Sequence, residues 1–155
     1  MTESFYAASR SPAACMTVSD DGGMAFECLE CVGTVDPFKG ATALSLWVRM
    51  AGGGPNYMPV QGAAVPDVKV YLSKSEDSGS TGSSGDTGCR QSPTLRSYTP
   101  AQQQGAWSKF TLPLSDFQCG DIADQLNKIT IQAIPSTSKS TSFCVDNIQI
   151  SSAAS

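Results

Sequence analysis

The sequence predicts an all-β domain, a β-sandwich jelly roll of two antiparallel sheets. Three observations carry this. Several segments alternate apolar and polar residues with period two. Clusters of Gly, Pro, Ser and Asp separate them, each supplying turn geometry that strands cannot. No stretch holds a convincing helical period. At 155 residues the chain is long enough for one domain with its own core. Residues 1–150 are expected to form that domain, and 151–155 to begin a linker.

In chain order, residues 14–19 and 24–28 are short strand candidates. The Asp20-Asp21-Gly22-Gly23 cluster between them predicts a hairpin turn. Residues 43–50 (ALSLWVRM) are the clearest strand. Residues 51–66 hold four glycines and three prolines, and no regular element fits them. A strand follows at 67–73 (DVKVYLS), then a Ser/Gly/Thr/Asp-rich loop at 74–88 anchored by Cys89. Residues 107–114 (WSKFTLPL), 128–134 (KITIQAI) and 143–150 (FCVDNIQI) complete the strands. Residues 115–127 leave room for one helical turn near 122–126.

Composition excludes several functions. Ten basic residues against fourteen acidic ones give a net charge of -4, without the basic footprint of a nucleic-acid binder. There is no histidine, so Ser-His and Cys-His catalytic pairs and His-ligated metals are removed together. No apolar run approaches the ~18 residues of a membrane helix. The polar N-terminus has no hydrophobic leader core. Six cysteines (Cys15, Cys28, Cys31, Cys89, Cys119 and Cys144) in a loop-rich acidic β-protein predict disulfides and a secreted, extracellular domain. Spacing does not choose the pairing. The competing reading is a thiolate zinc site, in which the C-x-x-C of Cys28 and Cys31 would be one half and two of the isolated cysteines the other. A closed four-thiolate site usually shows two such pairs.

Strand parity assigns faces. In residues 43–50, Leu44, Leu46, Val48 and Met50 point to the core, which turns Ser45, Trp47 and Arg49 outward. Lys69 and Tyr71, then Trp107, Lys109 and Thr111, then Thr130 and Gln132 are outward by the same argument. This set suits sugars. The C–H face of a pyranose packs on an aromatic ring, while its hydroxyls need fixed donors and acceptors. Each residue also has a plainer reading. Trp47 could be covered by the following loop, Trp107 could pack at a rim, and Arg49 and Lys69 could be solvated charges. Tyr57, in the Gly/Pro-rich loop, is a further binding candidate because exposed loop aromatics often bind ligands.

Four segments in order (PFKGATALSLWVRM, WSKFTLPLSDF, NKITIQAI and FCVDNIQI) resemble jelly-roll carbohydrate-binding modules with a galactose-binding-like fold. That family has a Gly-x-x-x-Leu-Ser-Phe-Trp-Val central strand, a later Trp…Pro-Leu-x-x-Phe strand and a closing Phe-x-Val-Asp-Asn-Ile strand. The resemblance spans about residues 35–150, with the Ser/Gly loop as an insertion. The family's first strand is barely visible in residues 3–6. The resemblance implies a non-catalytic module that binds a plant, algal or microbial polysaccharide on a concave sheet face or at loop tips. Such modules usually sit beside an enzyme and raise its local substrate concentration. This chain is expected to be a monomer linked to a catalytic domain. It also implies a structural calcium, with Asp146 of the closing motif as a ligand. Asp146 could instead cap a bulge by hydrogen bonding to backbone. Two alternatives accompany this reading. One is a small lyase or hydrolase, drawing on Tyr71 with Arg49 or on carboxylates such as Glu27, Glu30 and Asp67. The other is an extracellular structural or protein-interaction domain.

Overall fold

The computed structural model describes residues 2–6, 14–18, 22–27, 38, 40–54, 56–60, 66–74, 87–134 and 141–152. Ten strands form two antiparallel sheets, with no α-helix among these residues. The strands are β1 (Thr2–Tyr6), β2 (Ala14–Val18), β3 (Gly23–Glu27), β4 (Ala41–Met50), β5 (Val68–Lys74), β6 (Thr87–Gly88), β7 (Gln102–Gln104), β8 (Trp107–Pro113), β9 (Lys128–Ala133) and β10 (Thr141–Ser152). The larger sheet runs β1-β10-β4-β8-β7, with β2 also on β10. The smaller sheet runs β3-β9-β5-β6. No described helix is long and apolar enough to cross a membrane.

The core is where the two alternating patterns meet. Leu44, Leu46 and Val48 of β4, Phe110 and Leu112 of β8, and Phe143 and Val145 of β10 are buried from one side. Val68, Val70 and Leu72 of β5 and Ile129, Ile131 and Ala133 of β9 are buried from the other. Full burial of each large aliphatic or aromatic side chain contributes on the order of 1.5–3 kcal/mol. Leu95, Phe117 and Leu126, carried on connecting segments, close the ends of this core. The helical turn expected at 122–126 is present as 3-10 structure at Gly120–Gln125, preceded by another at Leu114–Phe117.

The hairpin expected at 20–23 does not form. β2 pairs with β10 in the larger sheet and β3 with β9 in the smaller, so this connection changes sheets. Two local facts hold the strands apart. Cys15 lies opposite Cys144 and is bonded to it, which fixes β2 on β10. Gly23 lies so close to β9 that a Cβ there would collide with the Ile131 carbonyl. The second disulfide joins Cys89 to Cys119. Cys28 and Cys31 lie outside the described residues, as does residue 75–86 of the Ser/Gly loop.

β10 organises the larger sheet. Its second half pairs with β1 and its first half with β2, so two short strands share one edge. Its other edge pairs with β4, and there the register slips: Asp146 lies opposite Trp47, but Gln149 lies opposite Ser45. Two residues of β10 therefore face one of β4, which is a β-bulge. The consequence is a change of parity. Phe143 and Val145 point inward before the bulge, and Ile148 and Ile150 point inward after it.

Candidate functional site

The outward set divides between two faces. Trp47, Arg49, Trp107 and Lys109 lie on the solvent face of the larger sheet. Lys69, Tyr71, Thr130 and Gln132 lie on the solvent face of the smaller sheet. Parity assigned every one of these side chains outward, but parity is blind to which sheet a strand joins. The two halves sit on opposite sides of the sandwich and cannot touch one ligand unit together. The Tyr71–Arg49 pair that a lyase would have used is thereby separated.

Across the larger sheet the register runs Asp146, Trp47, Lys109, Gln102 on β10, β4, β8 and β7. Beside that row lie Arg49, opposite Cys144, and Trp107, opposite Gln104. The Arg49 guanidinium carbon sits 5.3 Å from the centre of the Trp107 ring, within cation–π range. Its Nη1 also donates to the Met50 carbonyl at 3.5 Å. Burial pulls the Arg49 pKa down from its ordinary value, because a charge there is partly removed from water. Trp47 and Trp107 are both half-buried, neither sealed in the core nor loose on the surface.

Between these groups lies a cleft of ≈ 350 Å³, lined among the described residues by Trp47, Gln104, Trp107, Asp146 and Asn147. Two indoles supply flat apolar faces. Gln104 and Asn147 supply amides that both donate and accept, and Asp146 supplies acceptors. No cation is among the described lining residues: Arg49 is turned onto Trp107 and Lys109 is beside the cleft rather than in it. The Asp146 carboxylate accepts the Asn147 backbone N–H at 2.7 Å. Asn147 holds a left-handed backbone, with φ of 50°. This is the bulge-capping role weighed for Asp146 against calcium. Calcium takes six to eight oxygens. Among the described residues no group of three or more His, Cys, Asp or Glu side chains gathers that could hold a metal.

A glycosidase would need two opposed carboxylates. Asp146 is the one carboxylate in the described lining. Glu27 ends β3 in the other sheet, Asp67 is 3.9 Å from Arg96, and Glu30 lies outside the described residues.

On the smaller sheet, Tyr71 has a structural partner. Its ring and hydroxyl lie over Gly88 of β6, where any Cβ would collide with them. Glycine at 88 is what lets the ring cover that edge strand. Tyr57 lies in the loop after β4, half-buried with its ring against Gly54 and with φ of 48°. It does not line the cleft. Its neighbours Met58 and Val60 are 63% and 40% exposed.

Sequence reasoning missed Gln104 and Asn147. Gln104 belongs to a three-glutamine strand without alternation, exposed throughout, which carries no strand signal. A signal did exist for Asn147. The apolar positions of FCVDNIQI run 143, 145, then 148 and 150, and that step of three marks the bulge that turns Asn147 outward.

No protein-family model matches the sequence, and no curated protein is similar to it at a significant level. Similarity appears in the fold. A family 11 carbohydrate-binding module of a cellulosomal cellulase from Clostridium thermocellum superimposes with a TM-score of 0.51 at 14% identity, over 99% of this chain and 95% of that one. The family 11 module from the same organism in complex with a β-1,3-1,4-mixed-linked tetrasaccharide gives 0.51 at 13% identity, over 98% and 89%. The chain thus has the β-sandwich jelly-roll fold of these carbohydrate-binding modules, as the sequence motifs implied.

Proposed function

We propose that this chain is a non-catalytic carbohydrate-binding module that holds a polysaccharide in the cleft between Trp47 and Trp107. One observation carries the reading: two half-buried indoles, two amides and a carboxylate surround one cleft on a solvent-facing sheet. That is the chemistry a pyranose needs, an apolar platform with hydroxyl partners at its rim. The fold supports it, because a module of similar fold is described with a bound tetrasaccharide. The lining favours an uncharged glycan, since its one described charge is the Asp146 carboxylate. Arg49 and Lys109 flank the cleft and would steer or hold the chain beyond it. We read the protein as secreted and monomeric, serving an appended enzyme by raising its local substrate concentration. Two disulfides are in keeping with an oxidising compartment.

The test is an affinity-gel panel of soluble mixed-linkage β-glucan, xylan, galactomannan and polygalacturonate, run with calcium and with chelator. Retention by one or more, with no new reducing ends or unsaturated products, is the expected result. Products would favour the enzyme reading. No retention by a folded protein would favour a structural or protein-interaction domain. Weaker retention or a lower melting temperature with chelator would assign the calcium implied for Asp146.

A further inference from the structure

The β10 bulge has a direct consequence for the cleft. Without the extra residue, parity would carry the inward series Phe143, Val145 on to position 147. An asparagine would then point into an apolar core, and Ile148 would point to solvent. With the bulge, Ile148 is fully buried and Asn147 lines the cleft beside Asp146. The bulged residue has φ of 50°, a conformation that asparagine tolerates better than most residues. The Asp146 carboxylate accepts its backbone N–H at 2.7 Å, so the bulge is held from within the site. Bulges commonly re-aim a side chain beside a functional site.

We infer that Asn147 is a specificity-determining residue of the cleft: its side-chain amide contacts ligand hydroxyls directly, and the bulge exists in this strand to place it there. This rests on the proposed carbohydrate-binding function and assigns a reader within it. Trp47 and Trp107 offer ring faces that many sugars can use. An amide at a fixed point distinguishes hydroxyls by position, because a site built to hydrogen-bond a hydroxyl rejects a ligand that leaves it unpaired. Gln104, on the far side of the same cleft, supplies a second amide from an exposed edge strand rather than from a constrained bulge.

The experiment compares wild type with Asn147→Gly, Asn147→Asp and Trp47→Ala on the four polysaccharides named above, with melting temperatures measured alongside. Glycine keeps the left-handed backbone and removes the amide. Aspartate keeps the shape and removes the donor. Both should melt close to wild type and bind the preferred polysaccharide about tenfold more weakly. Both should also flatten the ranking among the four, which a merely structural residue would not do. If both Asn147 variants keep wild-type affinity and ranking while Trp47→Ala loses binding, the inference is wrong and the cleft assignment stands. If wild type is retained by none of the four, the carbohydrate-binding reading itself fails.

Discussion

The two solvent faces of this sandwich are built by the same rule and end up different. Each alternates with a buried aliphatic row, and each carries aromatic, cationic and amide side chains. On the smaller sheet the aromatic, Tyr71, lies down over Gly88 and covers an edge strand. Nearby Ser73 is fully buried, its hydroxyl without a hydrogen-bond partner. On the larger sheet the aromatics stand around a cleft instead. The difference comes from the neighbours. Trp47 sits in the central strand beside a bulge, so Asp146 and Asn147 rise next to it. Tyr71 faces a two-residue strand whose glycine leaves a space for the ring. An outward aromatic is therefore a binding candidate only where the adjacent strands do not cover it.

The two described disulfides staple different parts, one within the cleft-bearing sheet and one between connecting segments of the two sheets, and cutting them is the strongest way to separate their contributions. Cys15–Cys144 closes a 129-residue separation and holds β2 on the cleft-bearing sheet. Cys89–Cys119 closes 30 residues and ties the segment after β6 to the turn after β8. Loop entropy assigns at most about 5 kcal/mol to the first and about 3.5 kcal/mol to the second. Cys15→Ala with Cys144→Ala should lower denaturant stability by more than Cys89→Ala with Cys119→Ala. The first pair should also weaken glycan binding, since Cys144 lies two residues from Asp146 and opposite Arg49. Equal binding losses in both pairs would show that the effect is general loosening rather than a property of one face.

Single aromatic substitutions come next in size. Trp47→Ala should reduce affinity for the preferred polysaccharide at least about 30-fold, the scale of a central aromatic anchor. Trp107→Ala should cost less, about tenfold, because Arg49 already covers part of its ring. Tyr71→Ala should leave affinity within about twofold while lowering stability, as expected of a packing residue. Titration by tryptophan fluorescence or calorimetry separates these outcomes. Binding lost with Tyr71→Ala and kept with Trp47→Ala would move the site to the other sheet. Gly88→Ala sharpens the same contrast. Its Cβ collides with Tyr71, so it should destabilise by roughly 1–3 kcal/mol and leave binding by the folded protein intact.

How much of this was legible in the sequence follows from where the information resides. The long strands were readable because their alternation is local: ALSLWVRM orients its own residues whatever its neighbours do. β6 and β7 were not, and β1 was barely visible at residues 3–6, because five, two and three residues at sheet edges (β1, β6 and β7) owe their structure to the partner strand. Sheet membership was equally hidden. The Asp20-Asp21-Gly22-Gly23 sequence signals a turn, but only the Cys15–Cys144 bond and the tight fit of Gly23 on β9 say that β2 and β3 belong to different sheets. The cleft was half readable. Its tryptophans announced themselves by parity, whereas Gln104 required a polar edge strand and Asn147 required a bulge.

The smallest expected effect concerns a contact that belongs to neither face. The Tyr98 hydroxyl donates to the Asp116 carboxylate at 2.6 Å. Burial, then that hydrogen bond, then the Asp116 charge push the Tyr98 pKa up from 10.0 to about 12. A raised pKa means that the folded state holds the phenolic proton more tightly than the unfolded state does. The stabilisation is complete below pH 10.0 and is lost as pH rises through about 12. Melting temperature should fall across that window in wild type and fall less in Tyr98→Phe. The effect should be modest, because the pair is partly solvated. It should also depend on the smaller staple. Cys89–Cys119, together with Gln91 N–H donating to the Phe117 carbonyl at 3.0 Å, joins the same two segments that Tyr98 and Asp116 join. Ties that hold the same parts together are not additive. Tyr98→Phe should therefore cost more in the Cys89→Ala, Cys119→Ala background than in the intact protein. Equal costs in the two backgrounds would mean that the hydroxyl stabilises its own turn and has no share in holding the two segments together.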